Sequence, residues 1–172
     1  MKSTASPYLK NYRLADVVGA IQVMGVYPWS SRKVEAWTLK LGDPLSADNW
    51  DIVFREHPEF FRLTSEEWVS LRWRHGYDRV FDSSQGKELS EAERAKLSKE
   101  EQDKLLTRRP LAADQIETLL TTAMEFHSRA IAHQQARRWL IPLLFGLITA
   151  LLSFLGAVLG AMLPLVAQWL RT

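Results

Sequence analysis

Cysteine is missing from all 172 residues, which excludes disulfides and thiolate metal sites and suits a reducing compartment. Glycine is sparse at eight, and no Gly-rich phosphate loop occurs. The four histidines, His57, His75, His127 and His133, stand at no metal-ligand spacing, and Ser, His and Asp form no hydrolase signature. No catalytic residue, metal site or cofactor is expected, and the chain reads as non-enzymatic. Residues 1–7 have no apolar core, so no signal peptide is expected there.

Charge of either sign is missing from one long stretch. Between Trp139 and Arg171 only Thr149, Ser153 and Gln168 interrupt an apolar run, which predicts a transmembrane helix over 139–170. Arg137, Arg138 and Trp139 at its entrance and Trp169 and Arg171 at its exit read as membrane-interface anchors. The arginine excess on the entrance side, with Arg129 behind it, predicts a single-pass membrane protein with a cytoplasmic N-terminal domain and the lipid bilayer as partner. One tilted helix fits better than a re-entrant hairpin turning near Gly156. Gly146, Ala150, Ser153, Ala157 and Ala161 form a stripe of small residues, with Gly156 and Gly160 at its edge. Such a stripe lets helix backbones approach closely, so self-association is expected.

The rest of the chain divides by texture. Leu14, Val17, Val18, Ile21, Met24 and Gly25 predict a helix over 13–26 that Tyr27 and Pro28 close. Ser30 or Ser31 would cap a second helix carrying Val34, Trp37 and Leu41; Ser46 would cap a third carrying Trp50, Val53 and Phe54. Residues 59–63 and 68–73 read as a hairpin turning at 64–67. Three helices followed by a two-stranded ribbon resembles the winged-helix superfamily, over about residues 10–82.

The resemblance implies DNA binding, and charge argues against it. Through Asp82, eleven basic residues meet eleven acidic ones, whereas duplex affinity comes largely from cations that release counterions. The helix that would enter the groove carries Asp48, Asp51 and Glu56 against Arg55 alone. Arg72, Arg74, His75 and Arg79 form a candidate basic wing, which keeps nucleic acid as the weaker partner class. Winged helices also serve as protein-contact modules.

Residues 83–112 read as a charged connector with capping boxes at Ser90-x-x-Glu93 and Ser98-x-x-Glu101. Residues 113–138 read as a stalk helix with a seam through Ile116, Leu119, Ala123, Phe126 and Ala130. The expected architecture is therefore a small α+β cytoplasmic domain over 1–82 (three helices plus a β-hairpin, winged-helix-like), then a mainly helical connector and stalk, then a C-terminal transmembrane helix. The expected work is that of a membrane-anchored adaptor or scaffold that self-associates and holds an unknown protein partner at the bilayer. A membrane-tethered DNA-binding regulator and a small oligomeric membrane-permeabilising effector are the alternatives.

Overall fold

The computed structural model describes residues 6–169, with the side chains at 137, 139–141 and 158–169 outside the description. The chain divides into two compact units, Met1–Ala130 and Ile131–Thr172. Among the described residues it is α+β, with eight helical segments and two small three-stranded sheets.

The first unit opens with a 3-10 turn, Pro7–Leu9, and α1, Arg13–Val26. Val17, Ala20, Ile21 and Met24 recur at three-and-four spacing and are all buried, so one face of α1 drives it into the core. Pro28 follows the helix because the residue before it, Tyr27, must leave the helical region (ψ 137°). The next segment departs from the expected helix cap. Ser31–Lys33 is a strand, β1, and α2 (Val34–Leu41) starts directly after it with no side-chain cap. The third helix, α3 (Trp50–Glu56), is capped by Asn49, whose side chain accepts from the Ile52 N–H. Ser46, the expected cap, instead hydrogen-bonds through N–H and hydroxyl to the Asp16 carboxylate, which ties the loop before α3 to α1.

Two further strands, β2 (Phe61–Leu63) and β3 (Trp68–Leu71), complete a sheet in the order β1-β3-β2. The hairpin is present but shorter than the 59–63 and 68–73 of the alternation. After Leu71 the chain turns into a short helix, α4 (Arg72–His75). Trp37 is fully buried against this sheet and donates its indole N–H to the Val69 carbonyl at 3.0 Å. Phe54 and Phe61 meet edge-on beside it. Each such side chain contributes roughly 1.5–3 kcal/mol by leaving water.

The module does not close at Asp82, which corrects the winged-helix-like domain of 1–82 and the solvated connector of 83–112. A second sheet forms from β4 (Phe81–Asp82), β5 (Lys87–Glu88) and β6 (Leu106–Thr107), in the order β5-β4-β6. Between β5 and β6 lie α5 (Glu91–Arg94) and α6 (Lys99–Leu105), each opened by a complete capping box at Ser90 and Ser98. Leu89, Leu106 and Leu111 are buried. Local polarity hid this because strands of two residues carry no legible alternation.

The last helix, α7, spans Ala113–Trp169. Its first turns are not a free stalk. Ala123 is fully buried in the core of the first unit, and Ile116, Leu119, Leu120, Phe126 and Ala130 pack against that core. The seam is matched within the chain, so it needs no second copy. Gly25 leaves room for α7 to pack close to α1, since a Cβ there would lie 3.1 Å from two side-chain atoms of Ile116.

The membrane reading is corrected. Among the described residues, no helix is long and apolar enough to cross a membrane. The transmembrane segment of 139–170, the anchor and the single-pass, cytoplasm-facing topology derived from them are not supported. Of the expected interface anchors, Arg138 is an exposed helix residue, while Arg171 and the side chains of Arg137, Trp139 and Trp169 lie outside the described residues.

Candidate functional site

The candidate basic wing dissolves once the chain turns into α4. A strand would have placed Arg72 and Arg74 on one face; the helix sends them apart. Arg74 is fully buried, and all five of its N–H groups donate to backbone carbonyls. Nε reaches Arg109 at 3.0 Å, Nη1 reaches Met24 at 2.8 Å and Tyr27 at 2.6 Å, and Nη2 reaches Pro28 at 3.1 Å and Arg108 at 2.6 Å. Among the described residues no carboxylate pairs with it. Its charge is held by carbonyl dipoles, including the end of α1, where helix carbonyls carry partial negative charge. Burial, and then the nearby Arg108 cation, pull its pKa down to about 10, which leaves it charged at neutral pH. Arg74 is a clamp between the α1 exit and the segment after β6, so no surface ligand reaches it.

The other wing residues stay near the surface but are committed. Arg72 Nε donates to the Pro58 carbonyl at 2.7 Å. Arg79 donates to the Leu106 and Asp103 carbonyls at the end of α6 and lies 3.4 Å from the Asp103 carboxylate. An N–H of Arg62 faces the His75 ring at 2.7 Å from Nε2. Partial burial, and then Arg108, Arg62 and Arg72, hold the His75 pKa below its ordinary value, so the ring is neutral and accepts.

A groove opens on the other side of Arg79. Its volume is about 920 Å³, within the range that holds a ligand of a few hundred daltons or a short peptide. One wall is β1 with Glu35, Ala36 and Leu39 of α2; the opposite wall is Arg79, Asp103 and the residues of β6 with Arg108. Trp29 and Trp68 also line it. The walls are fastened at one end by Thr107, whose hydroxyl accepts from the Ser30 N–H at 3.0 Å and lies 3.1 Å from the Ser30 hydroxyl. Four cations (Arg32, Lys33, Arg79, Arg108) face two anions (Glu35, Asp103). Of these, Arg79 and Asp103 pair with each other, whereas Lys33 is exposed and has no hydrogen bond or ion pair from its ammonium among the described residues. Among the described residues Arg108 donates only through Nε, to the His75 and Tyr77 carbonyls. Burial, and then Arg79 and Arg62, hold its pKa below the usual range.

The groove was not legible in the sequence. Ser30 and Ser31 stand before an apolar-periodic segment and read as helix caps, and Arg108 stands seventy-six residues away from Arg32 (108 − 32). The only local signal is Trp29-Ser30-Ser31-Arg32-Lys33, an aromatic followed by two cations between helices.

One acid–base cluster is closed to chemistry. His57 is fully buried, its Nδ1 3.0 Å from Glu59 Oε1, which also accepts from the Tyr8 hydroxyl at 2.6 Å. With no exposed ring atom, His57 packs against Tyr8 and holds the chain between α3 and β2. Among the described residues, no group of three or more His, Cys, Asp and Glu is placed to hold a metal.

The expected helix-contact residues fall on α7. Gly146, Ala150, Ser153, Gly156 and Ala157 are all exposed, while the side-chain surroundings of Gly160 and Ala161 lie outside the described residues. Around them Leu143, Leu144, Phe145, Leu147, Ile148, Leu151, Leu152, Phe154 and Leu155 are exposed by half or more. Comparison with family models, with curated proteins and with solved structures returned no match to this chain.

Proposed function

We propose that this protein is a non-enzymatic interaction module that self-associates through the apolar part of α7 and presents the groove of its globular unit to a protein partner. The observation that carries the reading is the distribution of apolar side chains over residues 142–157. Leu143, Leu144 and Phe145 are consecutive and each at least half exposed; at 100° per residue they point to three sides of the helix. A helix that is apolar all round is stable only when covered all round, and a soluble monomer rarely leaves a contiguous apolar patch beyond a few hundred Å². One neighbouring helix covers one face. Several copies in a bundle cover more of the helix surface than one neighbour can, and Gly146, Ala150 and Ser153 give the close approach such a bundle uses.

The nucleic-acid alternative has less support. Arg55, the one basic residue of α3, is held at 2.7 Å by Asp51, and Arg72 and Arg74 donate to backbone carbonyls.

The test is the size of the full chain in mild detergent, by light scattering and by crosslinking. Several copies are expected per particle. Leu144→Gln with Leu151→Gln and Leu155→Gln should reduce the assembly while the melting of the globular unit stays the same. A parent chain that is monomeric at tens of micromolar removes the self-association reading.

A further inference from the structure

The edge of β1 that faces the groove is open, and its geometry specifies what it accepts. In an antiparallel pair, residues alternate between bonding the neighbour strand and turning their backbone groups away from it. The Val34 N–H donates to the Glu67 carbonyl at 3.2 Å, and the register pairs Arg32 with Val69 two residues back. Arg32 therefore bonds β3. Ser31 and Lys33 turn their N–H groups, and Ser31 its carbonyl, outward on the groove side, where both residues line the wall. No side chain or backbone group takes them among the described residues.

The facing edge is different. In the second sheet, Ser83 N–H donates to the Leu105 carbonyl, so Leu106 turns outward from β4, and its carbonyl is taken by Arg79 at 3.0 Å. Its N–H closes α6 on the Gln102 carbonyl. One wall of the groove is thus sealed by Arg79, and the other offers an unpaired strand edge, the template for strand addition.

We propose that the groove binds an extended acidic segment of a partner protein, which pairs as an added antiparallel or parallel strand on the outer edge of β1. Charge selects the segment. With Arg79 and Asp103 cancelling, the remaining lining carries Arg32, Lys33 and Arg108 against Glu35. Carboxylates of the segment meet Lys33 and the Nη groups of Arg108, and its alternate side chains lie on Trp29, Trp68 and the exposed Leu39. Backbone pairing supplies affinity and the alternating wall chemistry supplies selection, as in other strand-addition sites. The inference rests on the interaction-module reading only for the globular unit and is independent of the α7 contact.

The experiment measures anisotropy of labelled, end-blocked octapeptides with the full chain. The probe is a pool with glutamate at alternate positions and Val, Ile, Leu or Tyr between them. The pool should bind in the micromolar range. A lysine-for-glutamate pool should bind about ten-fold more weakly or less, as should a glutamate pool N-methylated at alternate residues, because each loses about 1.4 kcal/mol or more. Lys33→Glu should weaken the glutamate pool by a similar factor, and Ser31→Pro, which removes an outward N–H at an edge position that tolerates proline, should abolish it. If Ser31→Pro fails to melt cooperatively, the N-methylated pool on the parent chain decides instead. Equal binding of the methylated and unmethylated pools, or no binding of any pool, overturns the proposal. Displacement of the peptide by a short single-stranded oligonucleotide that binds more tightly assigns the groove to nucleic acid and overturns it as well. Light scattering on the same samples separates the two claims: an oligomer that binds no peptide sinks this inference alone, and a monomer that binds peptide sinks the self-association reading alone.

Discussion

Arg74 and Tyr27 lie 47 positions apart in the chain, yet the guanidinium Nη1 donates to the Tyr27 carbonyl at 2.6 Å. The same side chain takes the Met24 carbonyl, while the Leu111 N–H takes the Gly25 carbonyl at 2.9 Å. The last carbonyls of a helix have no partners within it, and here they are met from two segments that local polarity marks as wing and connector.

Arg74→Leu should be among the most damaging single changes in the first unit. It leaves five carbonyls that Arg74 donates to, and each buried acceptor left unmet costs about 1–3 kcal/mol. A loss of at least about 3 kcal/mol is expected from urea titration. Arg74→Lys, with three donors in place of five, should fall between parent and leucine variant. A leucine variant as stable as the parent would show that the clamp contributes nothing net.

Gly25 should tolerate no large side chain while Ile116 is present. A Cβ at Gly25 meets Ile116 at 3.1 Å, so Gly25→Leu should lower stability by about 1–3 kcal/mol through overpacking. Ile116→Ala in the same chain should recover part of that loss. Strict additivity of the two changes would mean that they are not in contact.

A fragment ending at Asp82 should not fold. It lacks the Arg108 and Arg109 carbonyls that Arg74 uses, as well as the buried Leu111 and Ala123. A fragment ending at Ala130 retains all of them and should melt cooperatively. Calorimetry of the two fragments checks this, and a sharp transition in the shorter one would refute the placement of the boundary.

Tyr8 and Glu59 predict stability losses at both ends of the pH scale. Burial tends to raise the Glu59 pKa, but hydrogen bonds from His57 and Tyr8 outweigh it and hold the carboxyl below its usual range. The unfolded chain then takes up the proton first as pH falls, so stability is full above about pH 4.3 and drops as pH falls through the lower folded value. Burial and then Glu59 push the Tyr8 hydroxyl upward. Its unfolded form ionises at about pH 10, so stability falls as pH rises past that point. Tyr8→Phe should remove the alkaline loss and move the acid loss to higher pH, as read from midpoints of urea unfolding.

What the sequence by itself determined is local. The bounds of α1 follow from apolar spacing and Pro28, the caps at Ser90 and Ser98 from a four-residue pattern, and the start of α7 at Ala113 from a periodicity resuming after Pro110. Each depends on side chains within a turn or two of one another, where helix geometry alone sets who is adjacent. What only the tertiary structure decided depends on partners far along the chain. Thr107 and Ser30 meet across 77 positions to shape the groove, β1 is a strand because Val69 and Ser70 lie beside it, and Arg74 is buried because five carbonyls from two segments converge on it. The charge-free run from Trp139 was plain in the sequence, yet among the described residues no helix is long and apolar enough to cross a membrane. The same physics divides the two cases: an unmet backbone group or apolar face announces a need, and only the fold names what meets it.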